Sequence, residues 1–111
     1  MEIYISLPIT DKCRETQYKK ALSLQRYFES QGHKVINPFD IAKQVESRIM
    51  SMCKREPTHE EYMYEDLLEL EWCSHIFLCE GWTESKGCMI EVDKVIKLGL
   101  GFFTELTYKF G

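Results

Sequence analysis

The sequence predicts an α/β fold, a three-layer sandwich around a parallel sheet with strand order 2-1-3-4. Three observations carry that expectation. Residues 2–37 read as strand, helix, strand, a unit that normally joins parallel strands through a right-handed crossover. From Thr58 onward helix and strand alternate twice more. The segment HIFLCEGWTESKGCMIEVDKVIKLG, residues 75–99, is an apolar run, a turn-rich loop and a helix, the unit that recurs in such folds.

Residues 2–5 form the first strand, β-branched and aromatic in content, and Ser6-Leu7-Pro8 turns out of it. The first helix spans residues 11–31, with Ala21, Leu24 and Phe28 at helical spacing, Thr10 as N-cap and Gly32 as the residue after the C-cap. Residues 33–37 make a second strand, closed by Pro38. After Asp40 the rhythm of Ile41, Val45, Ile49 and Met52 predicts a short amphipathic helix. Thr58 and Glu61 fit a capping box, and Met63, Leu67 and Leu70 give the buried stripe of a helix reaching about Cys73. A third strand covers residues 75–79, and residues 80–84 form a loop. The next helix is stopped by Gly99 and Gly101, and residues 102–106 form the fourth strand.

Composition bounds the function. At 111 residues, 44% hydrophobic and 29% charged, the chain fits one domain, and no segment approaches the roughly 18 apolar residues of a membrane span. MEIYISLPIT has no basic region ahead of a long apolar core, so it reads as a strand rather than a signal peptide, and a cytoplasmic location is expected. Five cysteines without a C-x-x-C pair argue against a disulfide framework and a thiolate metal site, and the neighbours Cys73 and His75 are too few ligands. No metal and no cofactor are expected. A net charge of −4 gives no basic field for a nucleic-acid polymer, but leaves room for a local pocket for one small anion.

In an open parallel sheet ligands bind outside the carboxyl ends of the strands. With the first strand central, residues 6–10 and 80–87 converge there. The second loop feeds a helix N-terminus at Ser85-Lys86-Gly87, whose free N–H groups suit an anion. On that helix Cys88, Val92, Val95 and Ile96 form the apolar stripe, Asp93, Lys94 and Lys97 the solvent face, and Glu91 lies at the stripe's edge. Partial burial there raises a carboxylate's pKa. Asp66 is a second edge carboxylate, beside Met63 and Leu70; it is either a partner in acid–base chemistry or an exposed aspartate with a salt-bridge partner. Tyr4 points away from Ile3 and Ile5, and its hydroxyl either orients a carboxylate or packs under a helix. Trp82 is either one wall for a planar ligand or a loop anchor.

The opening IYISLPI, the Glu65-Asp66-Leu67 triplet, and Gly81-Trp82-x-x-Ser85-x-Gly87-x-x-x-Glu91 resemble the nucleoside 2-deoxyribosyltransferase-like superfamily. The likeness is closest to its small bacterial and phage proteins that open with a G-P-I-type loop, the DUF4406-like group. The resemblance implies a Rossmann/flavodoxin-like sheet and cleavage of the N-glycosidic bond of a (deoxy)nucleoside or nucleotide by a carboxylate nucleophile. It gives Glu91 as nucleophile, Tyr4 as the tyrosine orienting it and Asp66 as the aspartate near sugar and base. Ser6, Pro8, Gly81, Trp82, Ser85 and Gly87 are the expected substrate-binding residues, Ser85 standing where the monophosphate hydrolases bind phosphate. It also implies a homodimer or larger homo-oligomer. Three positions depart from the pattern: Leu7 replaces a usual glycine, Thr10 stands where those hydrolases carry an arginine, and Ser85 takes the place of an aspartate six positions before the nucleophile. Hydrolysis, or binding without turnover, therefore fits better than transfer between bases. The alternative expectation is a non-catalytic nucleotide-binding or sensor module, and a third is a partner-binding domain using the amphipathic residues 40–53.

Overall fold

The computed structural model describes residues 1–9 and 12–110. Thr10 and Asp11, the expected cap and start of the first helix, lie outside the described residues. Four strands, β1 (Glu2–Ser6), β2 (Lys34–Ile36), β3 (His75–Leu78) and β4 (Gly101–Thr104), form one sheet in the order β2-β1-β3-β4. Every pairing is parallel, with Tyr4 level with Ile36 on one side and Ile76 on the other. The helices are α1 (Arg14–Ser30), α2 (Pro38–Cys53), α3 (His59–Leu70) and α4 (Lys86–Leu98), with a single 3₁₀ turn at Trp82–Glu84.

Alternation along β1 divides the core in two. Ile3 and Ile5 face α1 and pack with Ala21, Leu24, Phe28 and Phe77, with Tyr108 near the carboxyl end against this layer. Tyr4 faces the other side with Ile76 and Leu78, against Ile41, Val45 and Ile49 of α2, Leu70 of α3 and Val95 of α4. The sheet is therefore the middle of three layers, as expected. Because strands are buried on both faces, they read as near-continuous apolar runs.

Local signals account for most boundaries. The Thr58 and Glu61 capping box forms in both directions, at 3.3 Å and 2.9 Å. Gly32 and Gly99 follow α1 and α4 with φ of 89° and 70°, the left-handed backbone that glycine adopts without a Cβ clash. Other elements differ from expectation. The second helix begins at Pro38, before Asp40, because Asn37 caps it by accepting from the Phe39 N–H at 2.9 Å and Pro38 sits where the helix needs no N–H. Met52 keeps the phase of the stripe but is 76% exposed, so the apolar stripe ends at Ile49. The third helix ends at Leu70, short of Cys73. The fourth strand stops at Thr104 rather than residue 106, level with Leu78, where its neighbour ends.

Candidate active site

The carboxyl end of β1 and the middle of α4 meet at one buried carboxylate. Glu91 is 5% exposed, and both its oxygens accept short hydrogen bonds, Oε2 from the Tyr4 hydroxyl at 2.6 Å and Oε1 from the Ser6 hydroxyl at 2.6 Å. Tyr4 and Ser6, two apart on a strand, point to the same face. This pairing corrects the reading of α4. The buried arc is Cys88, Glu91 and Val95, while Ile96 is 73% exposed. The arc is rotated so that Glu91 lies within it, which two hydroxyl donors make tolerable for a carboxylate.

Asp66 comes to the same place from α3. Together with Glu91 it borders an open cavity of about 190 Å³. Leu7 and Ile9 wall the cavity from the β1 loop, and Pro38 and Ala42 wall it from α2. His59, Tyr62 and Met63 line it from the Asp66 face of α3, at the i, i+3, i+4, i+7 spacing of one helix side. Arg14 stands at the rim, its guanidinium over the Phe39 ring at 5.5 Å and 3.4 Å from Glu46 Oε1.

Burial dominates the electrostatics. It pushes Glu91 up to about 7, against the opposing pull of the Ser6 and Tyr4 hydrogen bonds. Asp66 is pushed up to about 8, first by burial and then by the Glu91 charge, with the neighbouring Tyr4 hydroxyl opposing. Burial and the same two carboxylates raise the Tyr4 phenol well above its ordinary range. Both carboxyls are thus raised toward neutrality and titrate as a coupled pair, with Tyr4 beside both.

The other expected positions have different tasks. Ser6 is 1% exposed and its hydroxyl is spent on Glu91 rather than facing the cavity. Pro8 meets Gly81, where an added Cβ would lie 3.4 Å from Pro8 Cγ, so the two loops do converge; the Pro8 carbonyl accepts from Gln17 Nε2. Gly81 has φ of 89° and opens the 3₁₀ turn. Trp82 is half-buried against the α2 to α4 layer, the anchor reading. Ser85 caps α4 by accepting from the Cys88 N–H at 3.2 Å, and Gly87 lies under Met63. Gly81, Trp82, Ser85 and Gly87 are not among the cavity's lining residues. Sequence reasoning missed Arg14, His59 and Tyr62; the spacing of His59, Tyr62, Met63 and Asp66 was the available signal. Among the described residues no three His, Cys, Asp or Glu side chains gather as a metal site. No helix among them is long and apolar enough to cross a membrane.

A four-stranded parallel sheet in this order, with helices on both faces, is a Rossmann-like α/β fold that matches the fold of a 2-deoxyribosyltransferase. A solved 2-deoxyribosyltransferase from the psychrotolerant bacterium Bacillus psychrosaccharolyticus superposes with a TM-score of 0.57 at 17% identity, over 100% of this chain and 77% of that one. The family model described as a domain of unknown function, DUF4406, matches residues 1–104, and the chain belongs to that family. Among curated proteins none matches this chain.

Proposed function

We propose that this protein is an N-glycosidase that cleaves the base–sugar bond of a (deoxy)nucleoside or nucleotide, with Glu91 as nucleophile and Asp66 as acid. The observation that carries the reading is the burial of Glu91, held through both oxygens by Tyr4 and Ser6, on the same cavity as a carboxyl of higher pKa. Two carboxyls whose environments separate their protonation states can divide the labour of glycoside cleavage. A Glu91 oxygen bonds to the anomeric carbon as the bond to the base breaks, and Asp66 gives its proton to the departing base. The charge on Glu91, one of the causes that hold Asp66 protonated, disappears as the ester forms. Asp66 therefore becomes more acidic in the step that needs its proton. Water then attacks the same carbon, releasing Glu91 and returning a proton to Asp66.

The test is chromatographic detection of free base, with wild type and Glu91→Ala incubated with deoxynucleosides and their monophosphates. Base is expected from wild type only, with the loss on substitution at least a thousandfold; equal release by both proteins removes Glu91 from the chemistry. The rival reading, a nucleotide-binding module without turnover, is favoured by Leu7, whose side chain forms part of the cavity wall at the position where the resemblance implies a glycine. It predicts stabilisation by roughly 2.7 kcal/mol at about 100 times Kd with no product. The proposal extends to one domain in the cytoplasm that assembles as a homodimer or larger. Light scattering is expected to give a multiple of the 13.2 kDa chain mass, and a monomer at working concentration would refute that part.

A further inference from the structure

We propose that Ser6 is a positioning residue that favours release of the sugar from Glu91, by stabilising the carboxylate as it departs. This inference rests on the glycosidase reading above and assigns a role to a side chain that does not face the substrate. The Ser6 hydroxyl is buried and lies 2.6 Å from Glu91 Oε1, opposite the Tyr4 contact on Oε2. The pKa of the neighbouring Cys88 thiol is raised by burial, with Ser6 and Ser85 both opposing. The Ser6 proton is directed at Glu91, since its hydroxyl donates to Oε1.

A hydrogen bond to an ionised carboxylate is stronger than one to a neutral acyl oxygen. The two halves of the reaction therefore respond to Ser6 with opposite sign. In the first, the bond between Glu91 and the anomeric carbon forms, the carbon–nitrogen bond breaks, and the base leaves with the Asp66 proton. Glu91 loses its charge, the Ser6 bond weakens, and the hydroxyl costs some rate. In the second, the water oxygen bonds to the anomeric carbon, the Glu91–carbon bond breaks with its electron pair returning to Glu91, and the water proton goes to Asp66. Charge reappears on Glu91 and the Ser6 bond strengthens with it. Ser6 favours this half, and Tyr4 cannot replace it because its hydroxyl is already committed to the other oxygen.

The experiment uses the full chain with Ser6→Ala and Ser6→Cys, the second a weaker donor of similar size that keeps the site filled. Carboxyl ¹³C NMR follows Glu91 ionisation, while rapid-quench base release and intact mass follow the reaction. Ser6→Ala is expected to raise the proton affinity of Glu91 roughly tenfold, to give a burst of base followed by slow turnover, and to accumulate a glycosyl-protein mass. Ser6→Cys falls between it and wild type. An unchanged Glu91 titration in Ser6→Ala overturns the proposal, as does a rise in KM alone, which would make Ser6 a substrate contact. A shifted titration in a protein whose wild type releases no base sinks the glycosidase reading and the release role with it, leaving only the hold on Glu91.

Discussion

At the scale of single residues the site is a problem in placing one proton. In the proposed chemistry attack needs Glu91 ionised and departure needs Asp66 protonated, and burial has pushed the first to about 7 and the second to about 8. The competent form therefore peaks in a narrow window between those values. A bell-shaped dependence of kcat/KM is expected, with limbs near 7 and 8 that belong to the coupled pair; a flat profile from pH 6 to 9 would remove the two carboxyls from the rate-determining chemistry. Glu91→Gln keeps the volume and removes the charge, so the Asp66 carboxyl should titrate lower in that variant by ¹³C NMR, although burial keeps it above an ordinary aspartate. The identity of these residues was legible in the sequence, because a carboxylate beside an apolar stripe and a tyrosine out of phase with two isoleucines are local anomalies. The depth of Glu91 was not. Its burial depends on Tyr4 and Ser6, which are 87 and 85 residues away along the chain, and helical periodicity contains no information about such partners.

At the scale of elements, what places the cavity is where each helix starts. Asn37 is 3% exposed and ties two helices together, capping α2 through the Phe39 N–H at 2.9 Å and donating to Gln25 of α1 at 3.0 Å. That cap sets the start of the helix whose first two turns supply Pro38 and Ala42 to the cavity wall. Asn37→Ala is expected to cost about 1–2 kcal/mol in chemical denaturation and to raise KM more than it lowers kcat, because it loosens a wall and leaves both carboxyls in place. A kcat loss with unchanged KM would contradict this view of α2. The sequence reading ended a strand at Asn37 and began the helix after Asp40, although an Asn followed by Pro is itself a helix start. Ser85, placed before a helix, caps α4 by accepting from the Cys88 N–H, which a hydroxyl can do while still donating its own proton.

At the scale of the whole molecule, sheet order and layering were readable because strand, helix and strand recur with few workable arrangements, whereas strand ends depend on neighbours: β4 stops where β3 does. The buried pair of carboxyls also makes the stability of the entire fold depend on pH. Glu91 rises from 4.5 to about 7 and Asp66 from 3.8 to about 8 on folding, so between about pH 4 and pH 8 the native protein holds protons that the unfolded chain releases. Stability must then fall as pH rises through that interval and level off above it. Glu61 works in the other direction, since Arg55 lowers it to about 2; its contribution is present above its unfolded value and lost on acidification toward 2. The two trends place the maximum at mildly acidic pH. Denaturant titrations at pH 5, 7 and 9 should show a decline on the order of a few kcal/mol, and the Asp66→Asn, Glu91→Gln double variant should abolish most of it while exceeding wild type in stability at pH 9. Wild-type stability that stays level from pH 5 to 9 would mean that the two carboxyls are ionised in the native protein at little cost, and the proton on which the proposed chemistry depends would not be there.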